Sequence, residues 1–264
     1  MTSERTHQLF DQTLLGQYED EDPWNAVSEL RSNGSREIFE IAAQWLQNGE
    51  SLKRARGAAI LSQLREPTDN PKAEPKWLFR AEAFALIANM LRCEDDPMVL
   101  DSGIAALGFL CDSAAIPIVA SYAGHLDENV RFSVACALGH FPNDPEAVTW
   151  LLALTRDVDS DVRDWAVFGL GVLGDADSPE IRDALLERVT DSDEDVREEA
   201  VVGLGKRRDL RLLPVLHSLL DAPTLKLRVA EAASAMLGFA QDPEEWEAED
   251  YKRALDEIFG TSKA

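Results

Sequence analysis

Four histidines, His7, His125, His140 and His217, are the first residues to question for chemistry, because imidazole is the usual proton shuttle and metal ligand. None is followed by Glu, and no two stand three or four residues apart, so a zinc pair on one helix is not expected. Cys93, Cys111 and Cys136 are odd in number, lack metal-type spacing and sit in apolar helical stretches, so buried free thiols are expected. The chain has no Gly-x-Ser-x-Gly and no Cys-His nucleophile signature. Gly169-Leu170-Gly171 and Gly203-Leu204-Gly205 are too short to cradle a phosphate. Carboxylates are so abundant that pairs arise by chance, and none stands out as a general acid and base. No catalytic residue, metal site or cofactor is expected, and the chain does not read as an enzyme. The chemistry that remains is recognition: Phe132, Trp165 and Phe168 with Asp101, Asp164, Glu198, Glu199 and Glu231 form an aromatic and acidic set suited to gripping a basic polypeptide.

That set is positioned by a motif written five times. Val99, Val130, Val162, Val196 and Val229 precede Leu107-Gly108, Leu138-Gly139, Leu170-Gly171, Leu204-Gly205 and Leu237-Gly238 at offsets of 8 and 9 residues. Successive Val residues are 31, 32, 34 and 33 apart. Self-similarity at a fixed period marks a repeat array in which no unit buries its apolar face alone. In the unit from Asp127, Val130, Val134, Ala137, Leu138 and Phe141 recur at helical spacing. Asn143-Asp144-Pro145 then breaks the chain, with Asp144 as N-cap and Pro145 in the first turn of a second helix through Val148, Leu151, Leu152 and Leu154. The same reading predicts helix pairs at 5–17 with 22–32, 35–47 with 50–65, 77–92 with 97–110 and 113–125 with 128–140. Further pairs are predicted at 143–156 with 160–173, 178–190 with 194–206 and 209–220 with 225–240, before a last helix at 244–259 carrying Trp246, Tyr251 and Phe259. Residues 65–76, with three prolines, forbid helix and form a long loop, either a tolerated surface insertion or a binding loop on one rim. No alternating apolar run argues for a strand.

An Asp stands three before the Val at Asp96, Asp127, Asp159 and Asp193, and an Arg follows it at Arg131, Arg163 and Arg197. Lys226 breaks the first series; Leu100 and Ala230 break the second. With these residues the chain resembles the HEAT-repeat family in its short form, named after phycobilisome lyases. The resemblance is strongest over about 95–240 and weaker over 20–92, where Lys53-Arg54 with Leu61 is one degenerate copy. Neither the Trp/Gly/Tyr pattern of tetratricopeptide repeats nor the Thr-Pro-Leu-His turn of ankyrin repeats is present. The resemblance implies an all-α, right-handed α-α superhelix, a single solenoid over 1–264 of about seven helix pairs. It divides into an N-terminal cap helix over 1–20, degenerate repeats over 20–92 with the loop at 65–76, regular repeats over 95–240 and an acidic C-terminal cap over 243–264. It also implies a protein-binding scaffold. The Asp residues read as helix N-caps, and each Arg as reaching an Asp of its own or an adjacent unit.

Counted from the Val, offsets 0, 4 and 8 face the core and offsets 2, 3 and 6 face away, onto the concave wall that the resemblance implies. The outward positions include Phe132, Trp165 and Phe168, ringed by Asp101, Asp164, Glu198, Glu199 and Glu231. The alternative is that curvature buries these rings between units. Lys plus Arg number 26 against 49 Asp plus Glu, a formal net charge of −23, which favours a basic protein partner over nucleic acid or anionic lipid. The basic stretches Lys53-Arg54-Ala55-Arg56 and Lys206-Arg207-Arg208 are short. No apolar run approaches the ~20 residues of a membrane helix and no signal peptide is evident, so a cytoplasmic, monomeric protein is expected. Two other functions fit the same residues: an inhibitor or immunity-type protein neutralising a basic partner, and a phycobilin lyase-like or pigment-binding chaperone stacking a bilin on the aromatics. The iron-binding His-Glu pairs of HEAT-repeat hydroxylases are missing, and the acidic face is unlike the cationic one that HEAT-like DNA glycosylases need.

Overall fold

The computed structural model describes residues 1–18, 20–70, 72, 74–239 and 246–260. Contacts divide the chain into two compact units, Met1–His140 and Phe141–Ala264. Among the described residues there are helices and turns and no strand; a single antiparallel bridge, Arg65 to Trp77, closes the neck of the proline-rich loop. There Glu66 N donates to Lys76 O (2.9 Å) and Leu78 N to Leu64 O (2.8 Å). Pro71 and Ala73 of that loop lie outside the described residues.

The first unit contains α1 (Ser3–Gln12), α2 (Glu21–Ser32), α3 (Arg36–Trp45), α4 (Ser51–Ser62), α5 (Arg80–Leu91), α6 (Pro97–Leu110), α7 (Ile116–Ala120) and α8 (Glu128–Gly139). α1 ends earlier than the periodicity predicts, because Thr13 closes it and Gly16 turns the chain at φ 66°. Its Leu9 and Phe10 are buried, and Phe10 meets Trp45 edge-on at 4.8 Å. Motif residues Val99, Leu107, Val130 and Leu138 are fully buried, as their period requires. Gly108 lets α6 and α8 touch: a Cβ there would stand 2.8 Å from Ala137 Cα.

The second unit contains α9 (Pro145–Leu154), α10 (Ser160–Phe168), α11 (Pro179–Arg188), α12 (Glu194–Lys206), α13 (Leu213–Leu220), α14 (Leu227–Leu237) and α15 (Ala248–Phe259). α10 runs on as a π-turn over Gly169–Leu173, and Gly174 N donates to Gly169 O (3.0 Å). Buried Arg207 takes up the carbonyls this turn releases, donating to Leu170 O (2.6 Å), Gly171 O (3.1 Å) and Ala176 O (2.7 Å). Gly171 and Gly203 pass so closely that a Cβ on Gly203 would lie 2.7 Å from Gly171 Cα. Val196, Leu204, Leu216, Val229 and Met236 form the core with Tyr251 and Leu255 of α15. Residues 243–245 and 261–264 of the expected C-terminal cap lie outside the described residues.

The caps follow the sequence reading. Asp96, Asp127, Asp159 and Asp193 each accept a backbone N–H of the first turn, at 3.0, 2.9, 3.0 and 3.0 Å. Asp144 does the same for Glu146 N at 2.9 Å. The Arg series serves the turn more than the cap. Arg131 Nη1 donates to His125 O (2.9 Å), Arg163 Nη1 to Asp157 O (3.0 Å) and Arg197 Nη1 to Asp191 O (2.7 Å). Arg163 also grips an acid of the following unit, but this is Asp191, not the capping Asp193, at 3.0 and 2.7 Å. Burial pushes the Asp191 carboxyl up, yet the Arg163 bonds outweigh it and hold the group at about 2.

One expectation is corrected. Cys93 and Cys111 are exposed and Cys136 half-buried, since Cys93 follows the end of α5 and Cys111 closes α6 at φ 49°. His140, at the end of α8, packs its ring on Phe109 (5.2 Å), and burial lowers its pKa.

A Cβ on Gly205 would lie 2.6 Å from the carbonyl oxygen of Ala232, and backbone cannot move aside. Gly205→Ala is expected to cost about 1–3 kcal/mol in chemical denaturation. Asp193→Ala, which removes only a cap, should cost about 1 kcal/mol in the same assay.

Candidate functional site

α10, α12 and α14 of the second unit bring together most of the residues expected to bind. On α10, Trp165 and Phe168 are half-buried and meet edge-on, with centroids 5.6 Å apart and planes at 83°. That geometry sets the positive edge of one ring against the negative face of the other. Asp164 beside them is half-buried, and its Oδ1 is buried without a hydrogen-bond partner among the described residues. Burial lifts its pKa to about 6, helped by the charges of Asp195, Asp193 and Asp161.

The acids of α12 and α14 are largely paired within the unit. Glu198 bonds Lys226 Nζ at 2.7 Å. Glu199 is only 9% exposed, so it lies in the seam and not on an open wall. Its Oε1 accepts from Arg228 Nη2 at 2.5 Å, while its Oε2 is buried without a partner among the described residues. Burial, opposed by Arg228 and aided by Asp164, pushes its pKa up to about 7. Glu231 takes Arg228 Nη1 at 2.9 Å. Arg228 is thus the hub of this cluster, and sequence reading passed over it. Its signal was present: the unit that lacks an Arg at Ala230 carries one two residues earlier, just before Val229.

In the first unit, Ser133 Oγ of α8 donates to the Asp101 carboxylate of α6. Burial raises the Asp101 pKa against that hydrogen bond, and the charge of Asp127 adds to the rise. Phe132 is half-buried. On α4 the position three after Lys53 is Arg56, which is fully buried against Thr13, Tyr18 and Trp24. Its Nε donates to Thr13 O (3.1 Å) and its Nη2 to Tyr18 O (2.7 Å), and the guanidinium lies 4.5 Å from the Tyr18 ring and 4.3 Å from the Trp24 ring. At α4 this face is therefore covered from within.

The two outward offsets next to each other behave differently. Asp101, Phe132, Asp164, Glu198 and Glu231, at offset 2, are all half-exposed. At offset 3, Ser102, Ser133, Glu199 and Ala232 are buried, and only Trp165 retains solvent contact. Among the described residues no three His, Cys, Asp or Glu side chains are arranged to hold a metal, and no helix is long and apolar enough to cross a membrane. The second unit thus sets a ring pair beside a carboxylate oxygen that has no donor among the described residues.

No curated protein sequence matches the chain. Among solved structures it is similar to the Escherichia coli protein YibA, with a TM-score of 0.69 at 22% identity over 98% of both chains. It is also similar to an archaeal HEAT-like repeats protein from Thermococcus onnurineus NA1, with a TM-score of 0.53 at 17% identity over 88% of this chain and 95% of that one. The complex of CpcE and CpcF of phycocyanin lyase from Nostoc sp. PCC7120 aligns with a TM-score of 0.49 at 15% identity over 96% and 94% of the two chains. At such identities the likeness is one of fold. The family of HEAT repeats matches residues 84–171 and 161–237, which together cover more than half of the 264 residues. The chain, with its five-fold Val-Leu-Gly register and all-α helix pairs, belongs to the HEAT-repeat family.

Proposed function

We propose that this HEAT-repeat protein is a non-enzymatic scaffold that binds a basic polypeptide on the α10, α12 and α14 face, with Trp165, Phe168, Asp164, Glu198 and Glu231 as its contact residues and Glu199 buried beneath them. Asp101 and Phe132 present the same kind of surface in the first unit. One observation carries the reading: Asp164 Oδ1 is buried, lacks a donor among the described residues and sits beside two half-exposed rings. A buried acceptor without a donor costs about 1–3 kcal/mol. A Lys or Arg of a partner supplies the missing N–H, lays its aliphatic stem along the rings and gains cation–π attraction. The reverse charge would meet the repulsion of a chain at −23. Because Glu198, Glu199 and Glu231 already hold Lys226 and Arg228, the partner's specificity rests on Asp164 and the rings more than on the count of acids.

The intact protein, used as bait and compared with Trp165→Ala, tests this. The partner so captured should bind Trp165→Ala at least about tenfold more weakly, while the melting temperature moves by no more than about 2 °C. Equal binding, or a large loss of stability with unchanged binding, would remove the reading. Affinity that collapses on raising salt would instead favour neutralisation of a basic partner by charge alone.

Asp164 makes a pH prediction with a definite sign. Its pKa in the folded chain, about 6, exceeds the ordinary 3.8, so its stabilising contribution is complete below the ordinary value and is lost as pH rises through about 6. Asn keeps the neutral shape at every pH. Asp164→Asn should therefore melt higher than the parent at about pH 8, and the gap should close as pH is lowered through about 6, followed by differential scanning fluorimetry.

A further inference from the structure

The Arg one residue past the motif position, Lys53 in the degenerate copy and Val162 or Val196 in regular ones, is a two-ended device, and one copy has lost half of its partner. At one end Nη1 seats on carbonyls of the preceding turn. At the other, Nε and Nη2 form a fork that closes on a carboxylate of the next unit. Arg54 holds Glu94 this way at 2.7 and 3.0 Å, and Arg163 holds Asp191 at 3.0 and 2.7 Å. Glu94 and Asp191 each stand five residues before the following motif Val, Val99 and Val196. Where the Arg is replaced by Leu100, the facing position is His125, so Arg and acid disappear together.

Arg197 departs from this rule. Its Nη1 is seated like the others, on Asp191 O (2.7 Å), Ser192 O (3.0 Å) and Asp193 O (2.9 Å). The residue five before Val229, however, is Thr224. Among the described residues the Nε and Nη2 of Arg197 have no hydrogen-bond partner. The side chain lines a cavity of about 130 Å³ whose apolar wall is Val189, Val201, Val215, Leu219 and Val229. Thr224, on its rim, is exposed. The lining also carries Lys226, bonded to Glu194 and Glu198, and Arg228, bonded to Glu199 and Glu231, so its acids are engaged by those two cations and not by Arg197.

We propose that this cavity binds an aliphatic carboxylate. The carboxylate takes the place that Asp191 fills for Arg163, two parallel N–H···O bonds to the Arg197 fork, which is the strongest and most directional pairing a guanidinium makes. A short branched hydrocarbon chain fills the Val- and Leu-lined wall, gaining the stabilisation of apolar area removed from water. Two sources present this chemistry: a free branched-chain acid, and the C-terminal Leu, Ile or Val of a peptide. The inference rests on the Arg197 fork and not on Trp165, although Glu198 lines both places.

The test titrates the full chain with 4-methylpentanoate, with an acetylated tripeptide ending in a free Leu carboxylate, and with the same tripeptide amidated. Isothermal titration calorimetry reads binding. At least one of the two acids should bind, and the amide at least about tenfold more weakly than its acid. Tighter binding of the tripeptide acid assigns the site to a chain terminus; tighter binding of 4-methylpentanoate assigns it to a small acid. The decisive variant is Thr224→Asp, which restores the internal carboxylate. It should raise the melting temperature by about 2–4 °C and abolish acid binding, whereas Thr224→Asn should keep it. Thr224 is exposed and Arg197 holds the turn carbonyls, so Thr224→Asp tests the site without removing the bonds that an Arg197 variant would. Failure of both acids to bind the parent chain, equal binding of acid and amide, or undiminished binding by Thr224→Asp would overturn the proposal.

Discussion

The close approach of consecutive second helices is the constraint from which the rest follows. Within the first unit, α6 meets α8 at Gly108 and Ala137; within the second, Gly171 passes Gly203, and Gly205 meets Ala232. At these distances no side chain larger than a methyl fits, and in most places not even that. Backbones so near exclude water from the seam, and every residue whose side chain lies over it is desolvated. This is why offset 3 is buried in four of the five motif helices and why Glu199 is lifted to about 7.

Helices packed this tightly leave little room at their ends, and the turns are held by a compact polar device. An Asp caps the incoming helix while an Arg one residue past the motif Val ties down the turn carbonyls. The same logic appears at the π-turn. A π-turn leaves carbonyls without helical partners, and Arg207 satisfies them from inside the seam, on backbone alone. Arg56 is treated likewise, with carbonyls of Thr13 and Tyr18 and the faces of Tyr18 and Trp24 in place of a counter-ion. In both cases burial lowers the guanidinium pKa.

The net charge of −23 is therefore not spread as a uniform anionic coat. Part of it caps helices, part of it is spent on Arg54, Arg163, Lys226 and Arg228, and part is caught half-buried at Asp164 and Asp101. What distinguishes one region from another is which acid or base has been left without its partner. Among the described residues Asp164 Oδ1 has no donor beside two rings, and Arg197 has no acceptor where its register calls for one. The second is a place where a repeat rule is kept on one side of a contact and broken on the other.

The period of the Val-Leu-Gly motif was enough to read the all-α class, the helix pairs and the buried faces, because a helix of 3.6 residues per turn converts linear spacing directly into one side of a cylinder. Asp caps were legible for a similar reason, since a cap acts within three residues. Offset 3 was misjudged as open, because how far one helix sinks against the next depends on a glycine in its neighbour, about thirty residues away, and not on its own period. The role of Arg228, the cover over Arg56, the π-turn under Arg207 and the empty fork of Arg197 were likewise decided only by tertiary structure. Each depends on where a long side chain ends, and that endpoint is chosen by whichever carbonyl, carboxylate or ring the packing of distant helices brings within about 3 Å.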